Sequence, residues 1–127
     1  ISRGAKKTIL IEKNNKVFKS LKSNLKIIDS TKFELINKDS LEYLNKLEHN
    51  AFDYVFLDPP FKQQMLPLTL ALLSKRKLIH SNSKIYIESE FMLTEEFLNN
   101  ICGFKCKIEK EKKSGNVFFC LISLGVL

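Results

Sequence analysis

Short apolar runs alternate with stretches of helical periodicity along almost the whole chain. Thr8 to Ile11 (TILI) reads as a brief buried strand ending at Glu12. From Asn14 to about Ile28, Val17, Leu21, Leu25 and Ile28 recur at helical spacing with lysines on the other face. Phe33 to Ile36 is the next strand, ending near Asn37 and Asp39, and Ser40 can cap a helix that carries Leu41, Leu44 and Leu47 on one stripe. A strand at Phe52 to Leu57 follows, then a nearly all-apolar and therefore well-buried helix from Met65 to Leu73. Lys84 to Glu88 (KIYIE) predicts a strand, and a helix from about Thr94 to Ile101 is closed by Gly103. Two last strands, Lys105 to Glu111 and Val117 to Leu124, flank Lys113-Ser114-Gly115-Asn116, which reads as a hairpin turn.

Strands joined by helices imply a parallel sheet with right-handed crossovers, here with a terminal antiparallel pair. The fold class is therefore α/β, and residues 1–127 read as a single domain without internal repeats or linkers.

The segment Phe52 to Phe61, FDYVFLDPPF, carries the most chemistry. An apolar strand of this kind is expected to be buried on both faces, as in a parallel sheet under helices. Two consecutive prolines cannot continue a central strand, so the chain must leave the sheet at Asp58. That delivers a carboxylate, the Pro59 carbonyl and the ring of Phe61 to the C-terminal edge of the sheet, where ligands of open α/β sheets bind. The double proline also removes two backbone donors that could compete for these acceptors. Two converging acceptors beside a flat ring suit a planar amine: the ring stacks and the acceptors take the two N–H hydrogens. A simple Asp-Pro turn with Phe61 in the core is the plainer alternative.

Glu12 and Asp39 also fall at or just after strand ends. In nucleoside-binding α/β folds an acid after the second strand accepts from ribose hydroxyls, which suits Glu12, and Asp39 is placed to accept from an adenine amine. A lone acid at a strand end also serves as a turn or helix-cap residue. Glu88 and Glu90, in YIESE, read as helix N-terminal charge and surface solvation.

The charge of +7 and a pI near 9.3 suit a polyanionic partner such as RNA or DNA. Only Arg3 and Arg76 among the 21 basic residues are arginine, so a lysine-covered solvated surface is the competing account. No apolar stretch approaches the roughly 20 residues of a membrane helix, and ISRGAKK has no apolar region behind its charges that looks like a secretory signal. Cys102, Cys106 and Cys120 lack CxxC spacing, which argues for reduced thiols in a cytoplasmic protein. His49 and His80 stand apart from other ligand types, so no metal site is expected.

With these residues in place the chain resembles the S-adenosylmethionine-dependent amino methyltransferases. It is most similar to the bacterial small-subunit ribosomal RNA guanine-N2 methyltransferases, the RsmD family. ISRGAKK leading into TILIEKN, NKDS after the next strand, DPPF, IYIESE and a closing hairpin with a lysine-rich first strand carry the likeness through essentially the whole chain. It implies a Rossmann-like class I methyltransferase sheet, mostly parallel with a terminal antiparallel hairpin. The expected cofactor is S-adenosyl-L-methionine, held by Glu12, Lys13, Asp39, Ser40 and Asp58. Asp58, Pro59 and Phe61 are implied as the catalytic set that orients a guanine amine, with Pro60, Lys110, Lys112 and Lys113 toward substrate RNA. The implied partner is ribosomal RNA or the small ribosomal subunit, and the implied state a monomer. Adenine in DNA and a protein glutamine offer a similar amine, and a non-catalytic RNA-binding remnant of the fold is a further alternative. Family members carry another strand and a Gly-rich loop ahead of the SRGA segment, the strand lying between those that end at Glu12 and Asp58. The chain begins at that segment, which is expected of a piece of a longer protein or of a decayed gene.

Overall fold

The computed structural model describes residues 5–48, 51–58, 65–102 and 105–125, and the chain divides into two units, Ile1–Lys46 and Leu47–Leu127. In the first unit β1 (Thr8–Ile11) pairs in parallel with β2 (Phe33–Ile36), in the register Thr8↔Phe33 to Ile11↔Ile36. The amide of Glu12 carries the ladder one step further, donating to the Ile36 carbonyl at 2.8 Å. Between the strands runs α1 (Asn15–Asn24), which continues into a 3-10 turn at Leu25–Ile27. Its start is set chemically: the side chain of Asn14 accepts from the amides of Lys16 and Val17, satisfying donors that a helix N-terminus leaves without partners. After β2 comes α2 (Ser40–Lys46). Its cap is Asp39, one residue before the serine expected in that role, and Ser40 is already helical.

The second unit contains β3 (Phe52–Leu57), α3 (Met65–Lys75), β4 (Ile79–Ser89), α4 (Glu95–Cys102), β5 (Cys106–Ser114) and β6 (Val117–Leu124). Its sheet runs in the order β3-β4-β6-β5, with β3 parallel to β4 and β6 antiparallel to both its neighbours. The closing hairpin therefore inserts β6 beside β4 and leaves β5 at the edge. Its turn is tighter than the sequence suggests, because β5 runs to Ser114 and only Gly115 and Asn116 connect the strands. Gly115 has φ +59°, a conformation that glycine supplies at little cost in two-residue hairpins.

The core lies on one face of this sheet. Leu66, Leu70 and Leu73 of α3, Leu98 of α4, Ile85 and Ile87 of β4 and Ile122 of β6 are all almost wholly buried. α3 obeys its sequence only in part, since Leu68 on its outer side is half exposed. Strand β4 begins at Ile79 and not at Lys84, because its first half is also held to β3. The Phe52 amide donates to the Leu78 carbonyl at 2.8 Å, and Ser83 Oγ donates to the Phe52 carbonyl at 2.5 Å.

The other face departs from expectation. β3 is not buried on both sides: Tyr54 is 66% and Phe56 75% exposed, whereas Val55 and Leu57, pointing the opposite way, are partly covered. Side chains alternate along a strand, so only the face toward the buried isoleucines is covered. Tyr54, Phe56, Tyr86 and Phe119 share the open face, with ring centroids 6.0 Å apart for Phe56–Tyr86 and 6.1 Å for Tyr86–Phe119. Among the described residues no helix is long and apolar enough to cross a membrane.

Candidate active site

Each unit gathers part of the expected site at the C-terminal ends of its parallel strands. In the first, the single step beyond β1 and the short turn after β2 bring Glu12, Lys13, Asp39 and Ser40 together. Glu12 Oε1 accepts from the Asn14 amide at 3.0 Å, which fixes the carboxylate at the strand end. Asp39 Oδ1 accepts from the amides of Leu41 at 3.0 Å and Glu42 at 3.2 Å. Its Oδ2 stands 3.5 Å from Lys13 Nζ, an exposed ion pair of modest strength. Asp39 thus spends one oxygen on the helix cap, while Glu12 keeps Oε2 without a hydrogen-bond partner among the described residues.

In the second unit Asp58 follows the last residue of β3. Pro59, Pro60 and Phe61 lie outside the described residues, as does Gly103. The parallel register pairs Leu57 with Ile87, so the next step places Asp58 beside Glu88. Glu88 is half-buried, and burial first, then the charge and the side chain of Asp58, hold its carboxyl above the usual glutamate range. Tyr86, two residues back on the same face, is also raised, mainly by burial and then by the charges of Glu88, Cys120 and Asp58. Glu88 is the residue that sequence reasoning assigned to surface solvation. The spacing along the chain carries no signal for its place beside Asp58, because α3 separates the two strands and only their pairing aligns them.

The lysines do not act as one group. A bulge between Ile108 and Lys110 shifts the register of β5 against β6, so that Lys110 faces Leu121 and Lys112 faces Phe119. Both therefore share the open aromatic face. Lys113 pairs with Phe118 on the opposite side, and its ammonium stands 5.3 Å from the centroid of that ring. At the bulge Glu109 pairs with Lys84 at 2.6 Å, which lowers the Glu109 carboxyl through that hydrogen bond.

No cluster suited to a metal ion occurs among the described residues. His80 Nε2 lies 2.8 Å from Asp53 Oδ1, an ion-pair geometry away from the strand ends that carry Asp58 and Glu88. Cys106 and Cys120 are free and buried, and burial pushes both thiols up to about 11.

Residues 1–123 match the family described as Conserved hypothetical protein 95. A relative from Buchnera aphidicola of the pea aphid, named ribosomal RNA small subunit methyltransferase D, is 39% identical over 90 residues, covering 71% of this chain and 47% of the relative. The protein of the same name from another Buchnera aphidicola strain is 33% identical over 123 residues, covering 95% of this chain and 60% of its own length. The chain thus spans about half the length of these curated relatives. Among solved structures, a candidate methylase from Haemophilus influenzae matches with a TM-score of 0.78 and 32% identity, over 99% of this chain and 76% of that one. A candidate methyltransferase from Escherichia coli matches with a TM-score of 0.81 and 26% identity, over 99% and 67%. The α/β fold is that of methyltransferases, and the chain belongs to the Conserved hypothetical protein 95 family, the RsmD family.

Proposed function

We propose that the protein to which this chain belongs transfers a methyl group from S-adenosylmethionine to the exocyclic N2 amine of a guanine in small-subunit ribosomal RNA. The observation that carries the reading is Asp58, the acid of the DPPF motif, standing at the C-terminal end of β3 in a chain of this family. The names of the relatives support the substrate class. A cytoplasmic location and a chain that acts as one partial methyltransferase domain follow from the same reading.

The residues present fit the cofactor at its nucleoside end. Glu12 retains a carboxylate oxygen able to accept from ribose hydroxyls, and Asp39 and Ser40 stand at the neighbouring strand end beside Lys13. S-adenosylmethionine, when bound, would supply a sulfonium methyl as the electrophile, its S–CH3 bond breaking to leave the neutral thioether S-adenosylhomocysteine. The remaining work belongs to the chain and is mostly positioning. Asp58 and the Pro59 carbonyl accept the two amine hydrogens, Phe61 stacks on the base, and the nitrogen lone pair is left free to form the new N–C bond. One amine proton leaves as that bond forms, and the carboxylate edge is the acceptor at hand. A base must leave its stack to enter such a pocket, at a cost of about a few kcal/mol. Lys110 and Lys112 are the lysines we assign to the RNA backbone, with Lys113 as a secondary contact.

The test is transfer of labelled methyl groups to small-subunit ribosomal RNA by the full-length protein and its Asp58→Ala variant. Wild-type transfer is expected, and the variant should lose about 100-fold or more in rate, the size of a positioning defect, with cofactor binding nearly unchanged. Absence of transfer to this RNA by a wild-type protein that binds the cofactor would sink the proposal.

A further inference from the structure

The Asp58–Glu88 pair has a consequence for which amine the site accepts. The parallel register Leu57↔Ile87 sets two carboxyl groups, Asp58 and Glu88, side by side at the ends of adjacent strands and on the same face. Among the described residues neither has a basic partner to offset the like charges. Two carboxylates side by side on adjacent strand ends can each accept from one of two neighbouring N–H donors on the edge of a planar ring. Resting on the guanine reading above, we propose that Glu88 is a specificity-determining residue, its carboxylate accepting the ring N1–H beside the exocyclic amine that Asp58 holds.

Donor counting explains why this selects guanine. Guanine presents three hydrogens on that edge, two on N2 and one on N1. Asp58 takes a hydrogen of the amine, and Glu88 takes the one on N1. Adenine and cytosine carry an acceptor nitrogen next to the amine, and a glutamine side chain carries an acceptor oxygen. Each of those would set a lone pair against the Glu88 carboxylate and leave it without a donor, the arrangement that sites built for a hydrogen bond reject. DPPF alone cannot make this distinction, because the amine is common to all four.

2-Aminopurine tests it, since it keeps the N2 amine but has an acceptor at N1. The full-length protein is given small-subunit RNA fragments with guanine or 2-aminopurine at the position it methylates, and single-turnover rates are compared for wild type and Glu88→Gln. Wild type should favour guanine by roughly 10- to 100-fold, the range for one base-edge contact. Glu88→Gln should narrow that ratio toward one, losing rate on guanine and gaining on 2-aminopurine, because its amide can donate to N1. An equal loss on both substrates would assign Glu88 to the structure alone and overturn the proposal. A wild-type ratio near one overturns it regardless of whether the variant folds. Failure of the underlying reading is distinct: the wild-type protein would then methylate neither guanine RNA nor its analogue while still accepting adenine DNA or protein glutamine.

Discussion

Asp39 and Glu88 each make local contacts that bear on their expected roles. Asp39 reads as an adenine acceptor or a helix cap, and in the structure one of its oxygens caps α2 while the other faces Lys13. Asp39→Ala should lower stability by about 1 kcal/mol through the lost cap, whereas Asp39→Asn keeps a capping oxygen and should melt close to wild type. Thermal unfolding of the two variants checks this, and equal losses would show that charge and not the cap matters. Glu88 reads as a solvated surface acid but is half-buried against Asp58, with its carboxyl raised. Above the usual glutamate range the folded chain therefore holds more protons than the unfolded chain, and stability falls as pH rises through that window. Glu88→Gln removes this fall, so its melting temperature should gain on wild type as pH rises above the usual glutamate range. A constant difference across that rise would show that the pair does not titrate as described.

At the scale of elements the β5–β6 hairpin is the most informative. Its bulge, and not its sequence spacing, decides that Lys110 and Lys112 share the open face while Lys113 lies against Phe118 on the other. If RNA meets that open face, Lys112→Ala should reduce the salt dependence of binding by about one charge unit in the log–log slope. Lys113→Ala should change it less. Binding measured across a salt series checks the order, and a larger effect at Lys113 would move the contact to the opposite side of the strand.

Over the whole molecule, most of the buried side chains belong to the second unit, where α3, α4 and one sheet face bury theirs together. Leu70 is fully buried at its centre, and Leu70→Ala should cost about 2–5 kcal/mol. Cys106 and Cys120 report on the same core. Their thiols are buried and raised to about 11, so at neutral pH they should resist alkylation until the unit opens. Alkylation followed peptide by peptide should therefore be slow in the parent chain and faster in Leu70→Ala. Rapid labelling of either cysteine in the parent would contradict the burial.

The sequence by itself determined the order of strands and helices, the parallel-then-antiparallel character of the fold, and the identity of the acids at the strand ends. These follow from local periodicity and from prolines that must end a strand, which act within a few residues of chain. Only the tertiary structure decided that β3 leaves Tyr54 and Phe56 open, that a bulge divides the lysines, and that Glu88 meets Asp58. Those outcomes depend on pairing between strands that lie far apart in sequence. A pairing register is set by what packs on each face of the sheet, and a shift of one residue turns every side chain to the other side.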